Sequence, residues 1–315
     1  MDSIKGIISF IFLTLLLYVA GMFALSKVKV NQVPLLFHTN NFYTWKGGDA
    51  YQKFIEFDST KGHQIVFLGS SRAYRHYDPA IFEKAGITSF NLGTSSQHIT
   101  DAYQIVEHYI NGRNTQILMY DLYLGAIREN SIESSSTLIE NVSKNEAALD
   151  IALNLKDSRA LNLYVARRFT ENIKSMYPAE NYKGKGFCTK NDSFAKKELA
   201  LLDKEVKGEP EKLKEEELVH LEEFILKCKE KGVQLVLVNS PNSKYYYENQ
   251  HAVFLSQIQP ILAKYDVPFF DYSHKLGLST QTYFYDRSHM NYEGVKLFNA
   301  RLIKDLKSKK MVSNN

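Results

Sequence analysis

Cysteine is scarce in this chain: Cys188 and Cys228 are the only two in 315 residues, and they lie in separate regions. Two such residues make neither a disulfide framework nor a thiolate cluster, so the plain reading is an isolated thiol in each place. No Cys/His grouping has structural-zinc spacing, and no glycine-rich loop of the nucleotide-phosphate kind occurs. An excess of charge is also missing. The 39 basic and 35 acidic side chains leave a net charge of +4, much of it at the termini and along a lysine- and glutamate-rich helix, which does not argue for nucleic acid. Tryptophan is limited to Trp45, and beyond residue 26 no further uncharged run is long enough to span a membrane.

Hydrophobic residues, by contrast, make up 44% of the chain, enough for one large core plus a subdomain. Aromatics are plentiful, with 20 Tyr and 19 Phe, and tyrosine rings can serve a carbohydrate or an interface. Ile7 to Ser26 is a twenty-residue run without a charge, preceded by Lys5 and followed by Lys27 and Lys29. At helical rise such a run covers ~30 Å, the thickness of the hydrocarbon core. Ala24-Leu25-Ser26 also offers a small-x-small cleavage site, so a signal peptide competes with a retained anchor; the length of the run favours the anchor. The expected organisation is a short head (1–6), a transmembrane anchor (7–26), an aromatic-bearing connector packing on the domain (27–60), a catalytic domain (61–306) and a basic tail (307–315).

Within the domain, short apolar runs without clean alternation read as strands buried on both faces: Ile65–Leu68, Thr88–Asn91, Gln116–Tyr120, Val233–Asn239 and Val267–Phe270. Helical periodicity lies between them, at Asp101–Ile110, Leu213–Lys229, Val253–Tyr265 and Gly294–Leu306. Pro260 is expected to bend or interrupt the third of these. This alternation predicts an α/β fold, a three-layer α/β/α sandwich with a mainly parallel sheet. The interval 122–232 is too long for one crossover. With helical pieces at Glu146–Asn154 and Leu161–Tyr177 and a turn at Lys183-Gly184-Lys185-Gly186, it reads as an inserted helical cap beside the carboxyl edge.

Two polar segments carry the chemistry. Gly69-Ser70-Ser71-Arg72 follows the first strand, where a serine hydroxyl would be exposed at the sheet edge and Gly69 would allow a sharp turn. Either serine could instead be an ordinary helix cap. Asp286-Arg287-Ser288-His289 follows the last strand and precedes the last helix, for which Asn291 is a plausible cap. Its acid and histidine are three residues apart and so lie on one side of a turn. Histidine titrates in the right range to take a proton from serine, and a carboxylate would fix its tautomer. Ser71, His289 and Asp286 are therefore the candidate catalytic residues, with backbone N–H groups of Ser71 and Gly93 as oxyanion donors. Two ligands are too few for a metal, and His63, His76 and His98 have no metal spacing; neither metal nor cofactor is expected. Candidates for touching a substrate are Arg72, Asn91, Gln97, Asn239, Ser240 and Asn242. The Asn239-Ser240-Pro241-Asn242-Ser243 loop and Tyr245, Tyr246 and Tyr247 beyond it would suit a sugar, although a proline-containing turn followed by an aromatic helix cap explains the same residues. Arg72 and Arg75 could meet an anionic substrate or brace loops, with bracing the expectation for Arg75. Asp271 is expected to steady the loops near it.

These segments resemble the blocks of the SGNH/GDSL hydrolase superfamily, and within it the membrane-anchored branch of DltD-like and alginate-acetylation-like proteins. Gly69-Ser70-Ser71-Arg72 stands where that family has Gly-Asp-Ser-x, which assigns the nucleophile to Ser71. Gly93 in Asn91-Leu92-Gly93 matches the oxyanion glycine, and Asp286 and His289 match Asp-x-x-His. The likeness runs from about Ile65 to Leu306, without the cap. It departs at the third block, where Asp121-Leu122-Tyr123 replaces Gly-x-Asn-Asp; an ionised aspartate cannot donate to an oxyanion. The resemblance implies serine-dependent acyl transfer or deacylation on an extracytoplasmic envelope polymer or acylated glycan. It also implies a flavodoxin-like sheet, a single-pass membrane anchor and a multispanning membrane acyltransferase as partner. A non-catalytic envelope accessory or carbohydrate-binding protein with a degenerate site is the alternative.

Overall fold

The structure is a computed structural model that describes residues 2–31, 33–38, 46–128, 132–170, 179, 181–189, 192, 194, 210, 212–244 and 248–313. The expectations for Phe42, Tyr43, Trp45 and Tyr245–Tyr247, and for the end of the helix at 161–177, lie outside the described residues.

Five strands form the central sheet: β1 His63–Leu68, β2 Ser89–Asn91, β3 Thr115–Asp121, β4 Gln234–Asn239 and β5 Phe269–Asp271. Their spatial order is β2-β1-β3-β4-β5, and every pairing among them is parallel. This is the flavodoxin-like doubly wound order, in which the winding reverses beside β1. Lys29–Val30 and Val33–Pro34 add a separate antiparallel ladder. Alternate residues of each strand enter different layers. Val66, Leu68, Phe90, Leu118, Tyr120, Leu235 and Leu237 belong to one buried cluster. Ile65, Phe67, Ile117, Met119, Val236 and Val238 belong to the other. Two buried faces explain why the strands read as continuous apolar runs.

In chain order the principal helices are α1 Asp2–Lys27, α2 Gly48–Asp58, α3 Ser71–His76, α4 Pro79–Lys84, α5 Ile99–Tyr109, α6 Ile132–Asn141, α7 Asn145–Asn154, α8 Ser158–Thr170, α9 Glu215–Glu230, α10 Glu248–Tyr265 and α11 Tyr292–Ser308. The first cluster takes its helical side chains from α2 and from α5 to α10, and the second from α3, α4 and α11. Phe54 and Phe57 of α2 are buried in the first cluster, so this part of the connector contributes to the core. α10 continues through Pro260, so of the expected bend or interruption the interruption does not occur. Proline forfeits one N–H bond, but Phe254 and Ile258 before it and Ile261 and Leu262 after it are all buried, and that packing holds both halves in one helix. The tyrosines are used inside as much as outside. Tyr77, Tyr109 and Tyr120 are core residues whose hydroxyls reach Asp121, Ser143 and the Ala126 carbonyl. Cys188 and Cys228 are separate buried thiols.

Within the interval 122–232, α6, α7 and α8 pack on one another, α7 packs on α5, and their apolar faces join the first cluster. The Lys183–Gly186 turn instead lies along the free edge of β2, where Asn91 N–H donates to the Lys185 carbonyl (2.9 Å) and Cys188 N–H to the Tyr74 carbonyl (3.0 Å). Gly186 has a φ of 81°, and a Cβ there would fall 1.7 Å from the Asn91 carbonyl oxygen. α1 is long and apolar enough to cross a membrane. Its first part is bare, with Phe10 71% exposed, whereas Met22 near its end is 6% exposed and packs with Leu36 and Ala166.

Because Gly186 lacks both the space and the backbone angle for a side chain, Gly186→Ala is expected to cost about 2–3 kcal/mol of stability. Urea unfolding of the detergent-solubilised chain checks this; an unchanged midpoint would show that the turn yields.

Candidate active site

The polar residues gather at the carboxyl ends of β1 and β3, beside the point where the winding reverses. Gly69 leaves β1 at φ 134°, and a Cβ there would press on Ala73 and Asp121 at 3.1 Å. Ser70 then caps α3: its Oγ accepts the Arg72 N–H (3.3 Å) and the Tyr123 hydroxyl (3.0 Å). With Ser70 so engaged, Ser71 is the first helical residue, half-buried, with no intrahelical acceptor for its N–H.

The second segment closes on itself through the antiparallel bridge between Phe284 and Met290, both buried, and Asn291 caps α11 by accepting the Gly294 N–H. Inside that loop Asp286 Oδ1 accepts the backbone N–H groups of Ser288 and His289, each at 2.8 Å. His289 Nδ1–H donates to Asp286 Oδ2 (2.8 Å), and Nε2 lies 2.7 Å from Ser71 Oγ. Partial burial alone would raise the Asp286 carboxyl, but the bonds from His289 and the backbone outweigh it and hold the group below the usual carboxylate range. The ring of Tyr285 stacks on His289 at 5.6 Å and 11°. The arrangement can take a proton from the Ser71 hydroxyl, with the imidazole tautomer fixed by the carboxylate.

Behind Ser71 lies a second, fully buried network. Asp121, ending β3, forms an ion pair with Arg72 Nε (3.3 Å) and accepts from Ser240 N–H (3.0 Å), Ser240 Oγ–H (3.1 Å) and the Tyr77 hydroxyl (3.2 Å). Arg72 also donates through Nη2 to the Ser240 carbonyl (2.6 Å) and Asn239 Oδ1 (3.0 Å), and stacks on Tyr123 at 4.4 Å. His76 spans to the other loop: Nδ1–H donates to Ser240 Oγ (2.8 Å), and Nε2 accepts the Met290 N–H (3.0 Å). Burial, reinforced by the Arg72, His289 and Arg75 charges, pushes the His76 imidazole well below its ordinary range, in keeping with an Nε2 that accepts.

This network revises most of the expected substrate contacts. Arg72, Asn239 and Ser240 are buried and committed to Asp121 and one another, because a buried guanidinium has to be paired. Asn91 donates to the Ala73 and Tyr77 carbonyls (2.9 Å each), and Gln97 ties Gly69 N–H to the Leu92 carbonyl, so both brace loops from inside. Asn242 lines a cavity with Pro241, Lys244, Ser273 and His274 that Ser71 does not line. Gly93 differs from its expected role as well. Its N–H donates to Asn91 Oδ1 (3.0 Å), which leaves Ser71 N–H as the oxyanion donor of the expected pair. The Gly93 carbonyl is taken by the buried ammonium of Lys53, which burial brings down to about 8 and which sits 4.7 Å over the Tyr74 ring. The expectations for the two arginines are exchanged: Arg72 is the brace, while Arg75 leaves Nε and Nη1 buried without a hydrogen-bond partner. Asp271 does steady its surroundings, accepting from His251 and the Ser273 N–H (3.1 Å each). His76, Tyr77 and Tyr285 were not singled out. The signal available for His76 was its place on the same short helix as Ser71.

A protein-family model that carries no descriptive name matches residues 197–310, which include Asp286 and His289 but not Ser71. No curated protein matches the sequence. Among solved structures the chain is similar to a lipase/acylhydrolase from Enterococcus faecalis, at 11% identity and TM-score 0.39, covering 78% of this chain and 96% of that one. It is similar to a GDSL-like lipase from Bacteroides thetaiotaomicron at 9% identity and TM-score 0.39, covering 82% and 98%. An acetylxylan esterase from Geobacillus stearothermophilus gives 10% identity and TM-score 0.40, covering 78% and 94%. Likeness at this level assigns no activity, and the functional reading has to come from this chain's own side chains.

Removing the Asp121 carboxylate would leave the Arg72 cation buried and unpaired. Asp121→Ala is therefore expected to lose about 3–5 kcal/mol of stability, with Asp121→Asn, which keeps acceptor oxygen and shape, losing less; chemical denaturation of both variants distinguishes them. For Asp286 the folded pKa lies below the unfolded one, so its contribution is present above about pH 4 and is lost as pH falls through the folded value. The stability difference between wild type and Asp286→Asn should shrink on acidification in thermal unfolding across pH, and a pH-independent difference would contradict the linkage.

Proposed function

We propose that the chain is a serine-dependent acyl-handling enzyme, an esterase or O-acyltransferase of SGNH type, acting on an acylated glycan or polymer of the cell envelope. The observation that carries this reading is the unbroken path from Ser71 Oγ to His289 Nε2 (2.7 Å) and from His289 Nδ1 to Asp286 Oδ2 (2.8 Å). Ser71 Oγ attacks the acyl carbonyl as its proton passes to His289 Nε2, and Ser71 N–H donates to the oxyanion of the tetrahedral intermediate. Collapse breaks the ester bond, and the departing alkoxide takes the proton from His289, leaving the acyl group on Ser71. Water or a polymer hydroxyl then gives its proton to His289, attacks the acyl-enzyme and restores the serine.

The bare apolar helix α1 is long and apolar enough for a membrane anchor and supports that part of the reading. The extracytoplasmic placement of the domain and a multispanning acyltransferase that supplies acyl groups are carried by the family resemblance alone. The DltD-like and alginate-acetylation-like branch is the reading that fits an anchored chain whose third block lacks its asparagine. A second reading, an envelope accessory or carbohydrate-binding protein without useful chemistry, draws on the occupied Gly93 N–H and the donor-less Asp121. Losing one oxyanion donor costs about 3 kcal/mol of transition-state stabilisation in hydrolases.

Labelling of the detergent-solubilised chain with a fluorophosphonate separates the two. The enzyme reading expects modification at Ser71, none in Ser71→Ala, and rates roughly 10³–10⁴-fold lower in His289→Ala and Asp286→Asn. A folded protein that does not label favours the accessory reading.

A further inference from the structure

Arg75 is set apart from every other arginine of the site. It lies four residues after Ser71 on α3, so the two side chains share one helix face, and an i+4 side chain leans back over the preceding turn. Its Nε and Nη1 are buried yet have no hydrogen-bond partner, and among the described residues no carboxylate pairs with it. Its polar neighbours are the phenol groups of Tyr74 and Tyr285. Burial alone would lower its pKa, but these two groups raise it, and their rings flank it, 5.0 Å and 5.8 Å from its Cζ. Tyr285 in turn stacks on His289, so the guanidinium is one ring away from the imidazole. A desolvated cation with orphaned donors carries a free-energy cost that an acceptor from outside would relieve, and an anion relieves it more than a neutral hydroxyl. Arg72, three residues earlier, shows the satisfied alternative, with its charge matched by Asp121. The neighbouring Lys53 ammonium, 4.7 Å from the centroid of the Tyr74 ring, adds positive potential nearby.

We infer that Arg75, held between Tyr74 and Tyr285, recognises an anionic group of the substrate, a carboxylate or a phosphate, and so places the scissile ester at Ser71. The inference deepens the serine reading and rests on it for the position of the ester. Planar, bidentate docking is what a guanidinium gives to either oxyanion group, and an ammonium at the same place would not reproduce it.

The test is calorimetric titration of the full detergent-solubilised chain with inorganic phosphate, with monomethyl succinate, and with methyl acetate as neutral control. At least one anion is expected to bind while methyl acetate does not, with affinity falling roughly tenfold in Arg75→Gln. Arg75→Lys should fall less, and it carries the test if the glutamine variant does not fold. Preference for phosphate or for monomethyl succinate names the group. Binding of neither anion, or equal binding by Arg75→Gln, overturns the inference. Fluorophosphonate labelling of the same preparations separates its failure from that of the serine reading: labelling without anion binding removes only Arg75's role, and anion binding without labelling removes only the serine chemistry.

Discussion

A single buried carboxylate organises the working end of this protein. Asp121 stands at the carboxyl end of the central strand, where the sheet stops and no neighbouring strand supplies polar partners. Taking such a charge out of water costs several kcal/mol unless donors surround it. The partners come from two segments: Arg72 and Tyr77 from the nucleophile segment, and Ser240 from the loop after β4. Ser240 then passes the constraint through His76 to Met290, the residue next to His289. Satisfying one charge therefore sets the spacing of the segments that carry Ser71 and His289.

The same demand removes groups from solvent. Arginine, asparagine and glutamine at the edge of a sheet look available for a ligand, yet Arg72, Asn91, Gln97 and Asn239 are all used inward. Loops that leave parallel strands expose backbone groups which must be paired, and the nearest amide side chains do it. Gly93 shows the consequence, its N–H answering Asn91 before any substrate arrives. What remains beside the Ser71–His289 pair is a smaller set, in which Tyr285 stacks on His289 and Arg75 lies between Tyr285 and Tyr74.

The strands were legible because burial on both faces leaves uninterrupted apolar runs, and their ends shifted by only a residue or two. Gly69-Ser70-Ser71 and Asp286-x-x-His289 were legible as pairs of short local patterns, since the distances within each are set by one turn of chain. The network around Asp121 was not, because it joins residues 72, 76, 121, 240 and 290, and no local rule ties together positions so far apart in sequence. Arg72 and Arg75 illustrate the limit. Both follow the same serine, and only the packing of α3 against β3 and β4 decides which of them turns inward. For a related reason Pro260 does not interrupt its helix, since the tertiary contacts of α10 outweigh the local penalty.

α1 does not hang from a loose tether. Its last turns rest on α8 through Met22 and Ala166, with Phe23 and Phe169 edge to face at 6.5 Å, while the ladder at Lys29–Val30 and Val33–Pro34 folds the chain back at once. On the anchored reading proposed above, a helix fastened in this way would act as a rigid mast. It would set the height and tilt of the domain, so that only chains passing within a narrow shell above the lipid surface would come into reach.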